Sequence, residues 1–268
     1  MHKLARQVRF ALSPFAAIVE GANSYCARPT ADGLSLFFAL WVELTGPVTP
    51  DTGFVINVSH IDKIVRDKAV EIFDKFIKNK FSLKEQIGFE QIGQLLSRVW
   101  KIIEKEFLPA RVDNLILELS PARKLAIKEN GGDMLYYSEK FEFAASHTLW
   151  NDKFSDDENY KVFGKCANPS GHGHNYILEV TVRCLTPGPV PGDINAGLFE
   201  QIVEKEFIRL VDHKNLNADV EYFKKANPTV ENIAEFAFNS LKDKLKPLCL
   251  DSITVWENDR TFSTFRAD

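Results

Sequence analysis

His172 and His174 stand two residues apart in Gly171-His172-Gly173-His174-Asn175-Tyr176, directly ahead of the apolar run Ile177, Leu178, Val180 and Val182. The run has strand character, and residues i and i+2 of a strand project from one face, so both imidazoles aim at one point. Two converging imidazoles suggest a metal. Asn168-Pro169-Ser170-Gly171 reads as a turn that folds Cys166 back toward the same point. His147 ends Phe141-Glu142-Phe143-Ala144-Ala145-Ser146-His147, a second strand-like run able to pair with the first. Three imidazoles with no fourth protein ligand is the arrangement of a catalytic zinc, whose open position takes water or substrate. Any one of these histidines alone reads better as a hydrogen-bonded structural residue. Their convergence carries the metal reading.

Other residues add chemistry, each beside a plainer explanation. A zinc dication or an imidazole near Cys166 favours its thiolate and makes it a usable base, whereas most lone cysteines are buried and inert. Asp212-His213 offers a carboxylate–imidazole pair, or simply a solvated helix end with a histidine near the C-terminal dipole. Thr229 is placed to cap a helix, Glu231 reads as charge in that helix's first turn, and Glu257 closes a strand-like run.

The elements that must position these groups are legible in order. Gln7 to Ile18 and Leu34 to Leu44 read as strands. Helical spacing follows, from Ile61 to Phe76 and from Glu90 to Phe107, with Pro109 as the stop. Asn114 to Ser120 and Lys124 to Glu129 read as a closing hairpin. Asn130-Gly131-Gly132-Asp133 is the clearest breaker, and beyond it the order restarts. Leu135 to Leu149 and His174 to Cys184 read as strands, Leu198 to Val211 and the segment after Thr229 as helices, and Ser252 to Glu257 with Thr261 to Phe265 as a final pair. Laid over one another, Gly33 to Phe38 falls on Gly171 to Tyr176, and Gly88 to Gln91 on Thr229 to Asn232. The sequence thus reads as a duplication, residues 1–130 and 131–268. Leu34 and Leu36 take the positions of His172 and His174, so the first half cannot build the same metal site.

Composition narrows the partners. Lys and Arg number 33 against 37 Asp and Glu, a net charge of −4, which gives no support to a nucleic-acid partner. No apolar run reaches the ~18 to 20 residues of a membrane-spanning helix, so no membrane partner is expected. Four cysteines without CxxC pairing fit a reducing, cytoplasmic setting. The basic N-terminus ahead of Phe10 to Ile18 faintly resembles a signal peptide, but Ser13-Pro14 interrupts it and a first strand explains it better.

From about Tyr136 to Phe265 the sequence resembles the 6-pyruvoyl-tetrahydropterin synthase family. The matching stretches are Phe143 to Leu149, Gly164 to Tyr176, Asp212 to Leu216, Thr229 to Asn232 and the late Glu257. The resemblance implies zinc ligands His147, His172 and His174, with Cys166, Asp212, His213 and Glu257 as the catalytic and pterin-holding set, and Thr229 and Glu231 beside the substrate. It implies 7,8-dihydroneopterin triphosphate as substrate, conversion to 6-pyruvoyl-tetrahydropterin with loss of triphosphate, and a place in tetrahydrobiopterin synthesis. It also implies an α+β architecture of two tandem T-fold units, each a four-stranded antiparallel sheet with two helices on one face, oligomerising into a barrel. A homotrimer is favoured over a dimer. The related 6-carboxy-tetrahydropterin synthase of deazapurine synthesis is the alternative enzyme, and a non-catalytic pterin-binding protein the alternative of another class. Two departures stand out. Gly192-Asp193-Ile194-Asn195-Ala196 is one residue short of the family's Gly-Met-Val-x-Asn, which the first half matches better at Gly53 to Asn57. Leu119 aligns with Glu257, so the first half reads as a scaffold without catalysis.

Overall fold

The computed structural model describes residues 1–15, 34–128, 134–185 and 194–266. By contacts the chain falls into two compact units, one built mainly on Met1–Tyr137 and the other on Ser138–Arg183 with Asn195–Asp268. The architecture is α+β, with antiparallel strand ladders and packed helices.

The first unit contains β1 (His2–Leu12), β2 (Leu36–Gly46), α1 (Val58–Ile64), α2 (Glu71–Ser82), α3 (Phe89–Ile103), β3 (Arg111–Glu118) and β4 (Arg123–Lys128). Its strands lie in the order β1-β2-β3-β4, with Phe10 opposite Phe38, Leu40 opposite Leu117 and Leu117 opposite Leu125. Alternation of Val8, Phe10 and Leu12, and of Leu40, Val42 and Leu44, puts one face in the core. There Phe73 of α2 meets the Phe10 ring edge-on at 5.6 Å. Full burial of side chains such as Phe10 and Leu40 stabilises by about 1.5–3 kcal/mol each. Asn57 starts α1 by accepting from the Ser59 amide at 2.9 Å. The segment Val65–Val70 between α1 and α2 is a π-helical turn that helical periodicity did not announce.

The second unit adds β5 (Met134–His147), α4 (Asp156–Phe163), β6 (His172–Leu185), α5 (Ala196–Val203), α6 (Arg209–Val211), β7 (Lys214–Asn215), α7 (Leu216–Asp219), α8 (Val230–Leu241), β8 (Cys249–Asn258) and β9 (Thr261–Phe265). The strand order is β5-β6-β8-β9, and β7 runs parallel to the end of β5. Phe143 of β5 stacks on Tyr176 of β6 at 4.9 Å and meets Phe207 edge-on at 5.7 Å. Ile233, Ala237 and Leu241 of α8 are fully buried. Thr229 caps α8 by accepting from the Asn232 amide at 3.3 Å. Asn195 caps α5 through Leu198, the role Asn57 has in the first unit, so the departure seen around residue 195 leaves this capping residue in place.

Several boundaries differ from the sequence reading. The first strand stops at Leu12, and Pro14 and Phe15 form a bend just beyond it; residues 16–18 of the expected strand lie outside the described residues. Residues 130–133 and Gly192-Asp193 also lie outside them. Helix α4 was not anticipated, although its signal is present. Ser155 accepts from the Glu158 amide at 3.3 Å and Glu158 accepts from the Ser155 amide at 2.8 Å, a reciprocal capping box. Among the described residues no helix is long and apolar enough to cross a membrane.

Candidate metal centre

The end of β5, the start of β6 and the end of β8 bring one group together. His147, His172, His174 and Glu257 each offer a ligand atom, and these atoms lie within 4.8 Å of one another. The strand alternation that places His172 and His174 on one face is the cause on β6. Gly171 precedes them at φ +69, and a Cβ there would stand 3.0 Å from the His147 carbonyl oxygen, so this position requires glycine.

His147 is only 2% exposed, and its Nδ1 donates to the Pro228 carbonyl at 2.7 Å. That bond fixes the tautomer and leaves Nε2 as the lone-pair atom facing the cluster, the usual outer support of a metal-binding histidine. His147 Nε2 lies 3.2 Å from His172 Nε2. Glu257 Oε1 lies 2.9 Å from His174 Nε2 and 3.8 Å from His147 Nε2. The His174 contact lacks hydrogen-bond direction, and His174 Nε2 and His172 Nδ1 are buried polar atoms without a hydrogen-bond partner. Burial pushes the His147 and His174 imidazoles below their ordinary pKa, and for His147 the two neighbouring imidazoles press the same way. Neutral imidazoles with converging lone pairs beside a carboxylate are a donor set that suits zinc.

Cys166 sits on a 3-10 turn, Gly164–Ala167, whose Cys166 carbonyl accepts from the Leu149 amide at 2.8 Å. Its Sγ is 3.7 Å from His172 Nε2. Burial, and then the Glu257 carboxylate, push this thiol above its ordinary pKa. The protein groups alone therefore hold Cys166 protonated, and a thiolate there needs added positive charge.

Asp212 and His213 are clamped to β5 from another side. Asp212 Oδ1 accepts from the Ala144 amide at 2.9 Å, and the His213 amide donates to the Ala144 carbonyl at 2.6 Å. His213 Nδ1 is 2.8 Å from Asp212 Oδ2, and the imidazole is otherwise open, its side chain 82% exposed. The Ala144 amide, with help from His213, holds the Asp212 carboxyl below the usual range. His213 has φ +55, an uncommon conformation for a residue with a Cβ, which the two Ala144 bonds sustain. It lines a shallow depression of about 450 Å³ with His174, Ser146 and Asn215.

The structure thus gathers His147, His172, His174, Glu257 and Cys166 into one cluster, and sets His213, paired with Asp212, on a depression that His174 also lines. Glu257, expected to hold the pterin, stands 2.9 Å from His174 Nε2. Thr229 uses its hydroxyl as a helix cap, and Glu231 is in the first turn of α8, directly after the Pro228–His147 contact. Sequence reasoning missed Pro228 because its contact to His147 spans 81 residues. It also missed the hydroxyl of Tyr176, a buried side chain whose oxygen has no hydrogen-bond partner.

The model of the family described as 6-pyruvoyl tetrahydropterin synthase matches residues 136–268. A 6-pyruvoyl tetrahydrobiopterin synthase of Homo sapiens is 36% identical over 131 residues, covering 49% of this chain and 90% of that protein. A 6-carboxy-5,6,7,8-tetrahydropterin synthase of Rickettsia typhi is 24% identical over 147 residues, covering 48% of this chain and 98% of that one. Among solved structures, the Caenorhabditis elegans 6-pyruvoyl tetrahydropterin synthase aligns with TM-score 0.47 and 33% identity, over 50% of this chain and 96% of that one.

Proposed function

The chain belongs to the 6-pyruvoyl tetrahydropterin synthase family, and from that premise we propose that it is a zinc-dependent carbon–oxygen lyase converting 7,8-dihydroneopterin triphosphate to 6-pyruvoyl-tetrahydropterin. The observation that carries the reading is the convergence of His147, His172 and His174, with His147 tied through Nδ1 so that Nε2 is left for a metal. His147, His172 and His174 would hold the ion, with Glu257 beside them. Zinc held there would supply Lewis-acid stabilisation of oxyanion charge on the substrate's side-chain oxygens.

The protein's own groups move the protons. Cys166, within reach of His172, takes a proton from the side-chain carbon once neighbouring positive charge lowers its pKa. His213 donates Nδ1–H to Asp212, so its Nε2 is the nitrogen free to exchange a proton with substrate lying in the depression. Asp212, kept ionised, fixes that tautomer. Glu257 accepts from pterin ring N–H groups, and Thr229 and Glu231, at the start of α8, would contact the substrate. Breaking the carbon–oxygen bond releases triphosphate and leaves an enol that becomes one ketone; oxidation of the remaining carbinol to the second ketone passes its two hydrogens to the ring C=N bond, which becomes the tetrahydro ring, so no external oxidant enters.

Residues 131–268 form the catalytic unit in this reading, and residues 1–130 a second T-fold unit that serves as scaffold. Three chains would complete the barrels, one ring of each unit; native mass spectrometry should give a trimer, and a stable dimer would reject that assembly. The function is tested by incubating zinc-loaded protein with 7,8-dihydroneopterin triphosphate and identifying products by mass spectrometry. A 6-pyruvoyl product is expected. A 6-carboxy product would move the chain to the related synthase, and unchanged substrate would leave a pterin-binding protein.

A further inference from the structure

The two units set the same strand register around different chemistry. In the second, Ile177 pairs with Trp256, which puts Tyr176 opposite Glu257 and His174 two residues beyond on the same face. In the first, Ala39 pairs with Glu118, which puts Phe38 opposite Leu119 and Leu36 two residues beyond. Leu36, Phe38 and Leu119 therefore stand where the second unit has His174, Tyr176 and Glu257. These three line one cavity of about 350 Å³, together with Phe76 of α2 and Phe89 and Ile92 of α3.

The cavity opens to solvent on one side, where Leu36 and Phe81 are each 36% exposed, and its volume falls in the size range of small-molecule sites. Its lining is aromatic and aliphatic. Among the described residues the single ionisable one on it, Glu85, is already paired with Lys80. A pterin or a phosphate finds no complement there: each ring N–H would lose its water without an acceptor, because the position of Glu257 is filled by Leu119. Ring faces of phenylalanine suit a flat, apolar guest instead.

We propose that the first unit binds a small uncharged molecule with a flat apolar body in this cavity, at the strand positions that the second unit gives to its imidazole–carboxylate cluster. The first unit is then a binding module in its own right. The inference stands on the first unit's geometry and does not depend on which product the second unit makes.

The test uses the full zinc-loaded chain and the uncharged fluorophore N-phenyl-1-naphthylamine. Titration should give saturable binding of one probe per chain. Affinity should fall at least tenfold in Leu36→Gln, which puts an amide on the wall, and in Ile92→Trp, which fills the space. Pterin turnover in both variants should stay within twofold of the parent protein. Hydrogen exchange of the unmodified protein should show added protection on probe binding over residues 71–82 and 89–103. Absence of saturable binding overturns the proposal. So does protection confined to residues 138–268, or unchanged affinity in both variants when circular dichroism shows them folded. The exchange pattern decides alone where a variant fails to fold.

Discussion

Replacing Cys166 with alanine separates proton transfer from metal binding. The change removes a sulfur 3.7 Å from His172 Nε2 and leaves the imidazoles of His147, His172 and His174 in place. The turn around it is held by a backbone bond, the Leu149 amide to the Cys166 carbonyl, which alanine retains. Loss of one half-buried group of this size costs at most about 0.8 kcal/mol of packing. A general base in the transition state contributes about 10²- to 10⁴-fold. At 1.36 kcal/mol per tenfold, that is a barrier increase of roughly 2.7–5.4 kcal/mol. The assay is single-turnover consumption of 7,8-dihydroneopterin triphosphate, beside zinc content by atomic emission and thermal unfolding of the same samples. The expected result is a rate at least about a hundredfold lower with full zinc and nearly unchanged stability. A rate within threefold of the parent would refute the base assignment. Zinc content falling in step with the rate would show instead that the sulfur is a metal ligand.

The raised thiol of Cys166 gives a second expectation: iodoacetamide should modify it faster in zinc-loaded than in zinc-stripped protein at neutral pH, and equal rates would mean that the metal does not set its ionisation. His147 has a folded pKa below its ordinary 6.5, because burial favours the neutral ring. Its contribution to stability is complete above that value and is lost as pH falls below it, where the unfolded state takes up the proton first. Melting curves of chelated protein should therefore shift down as pH is lowered from 6.5, and a His147→Gln variant should lose part of that slope. Gly171→Ala should destabilise by about 1–3 kcal/mol, since φ is +69 and the new Cβ would meet the His147 carbonyl; zinc competition should show weaker binding, and parental affinity would contradict the placement of that turn. Ser155→Ala opens the capping box of α4 and should cost about 1 kcal/mol in denaturant unfolding, with turnover per folded molecule unchanged.

The sequence by itself determined the parts of this protein that depend on local spacing. Period-2 alternation put His172 and His174 on one strand face, helical periodicity located the two main helical stretches of each unit, and turn residues placed Cys166 on a loop beside them. Laid over the second half, the first half has Leu34 and Leu36 where the two histidines stand, which is why no such ligand set is expected there. Tertiary structure decided what depends on distant partners. Pro228 orients His147 across 81 residues, and β7 pins Asp212-His213 to the strand that ends in His147. Glu257 is carried by β8 into the imidazole cluster, a placement set by the Ile177–Trp256 register. The same register logic in the first unit turns Leu36, Phe38 and Leu119 into the wall of an apolar cavity. Spacing along a chain fixes which side of an element a residue occupies. Only packing fixes what stands opposite it, because hydrogen-bond partners and burial arise between segments far apart in sequence.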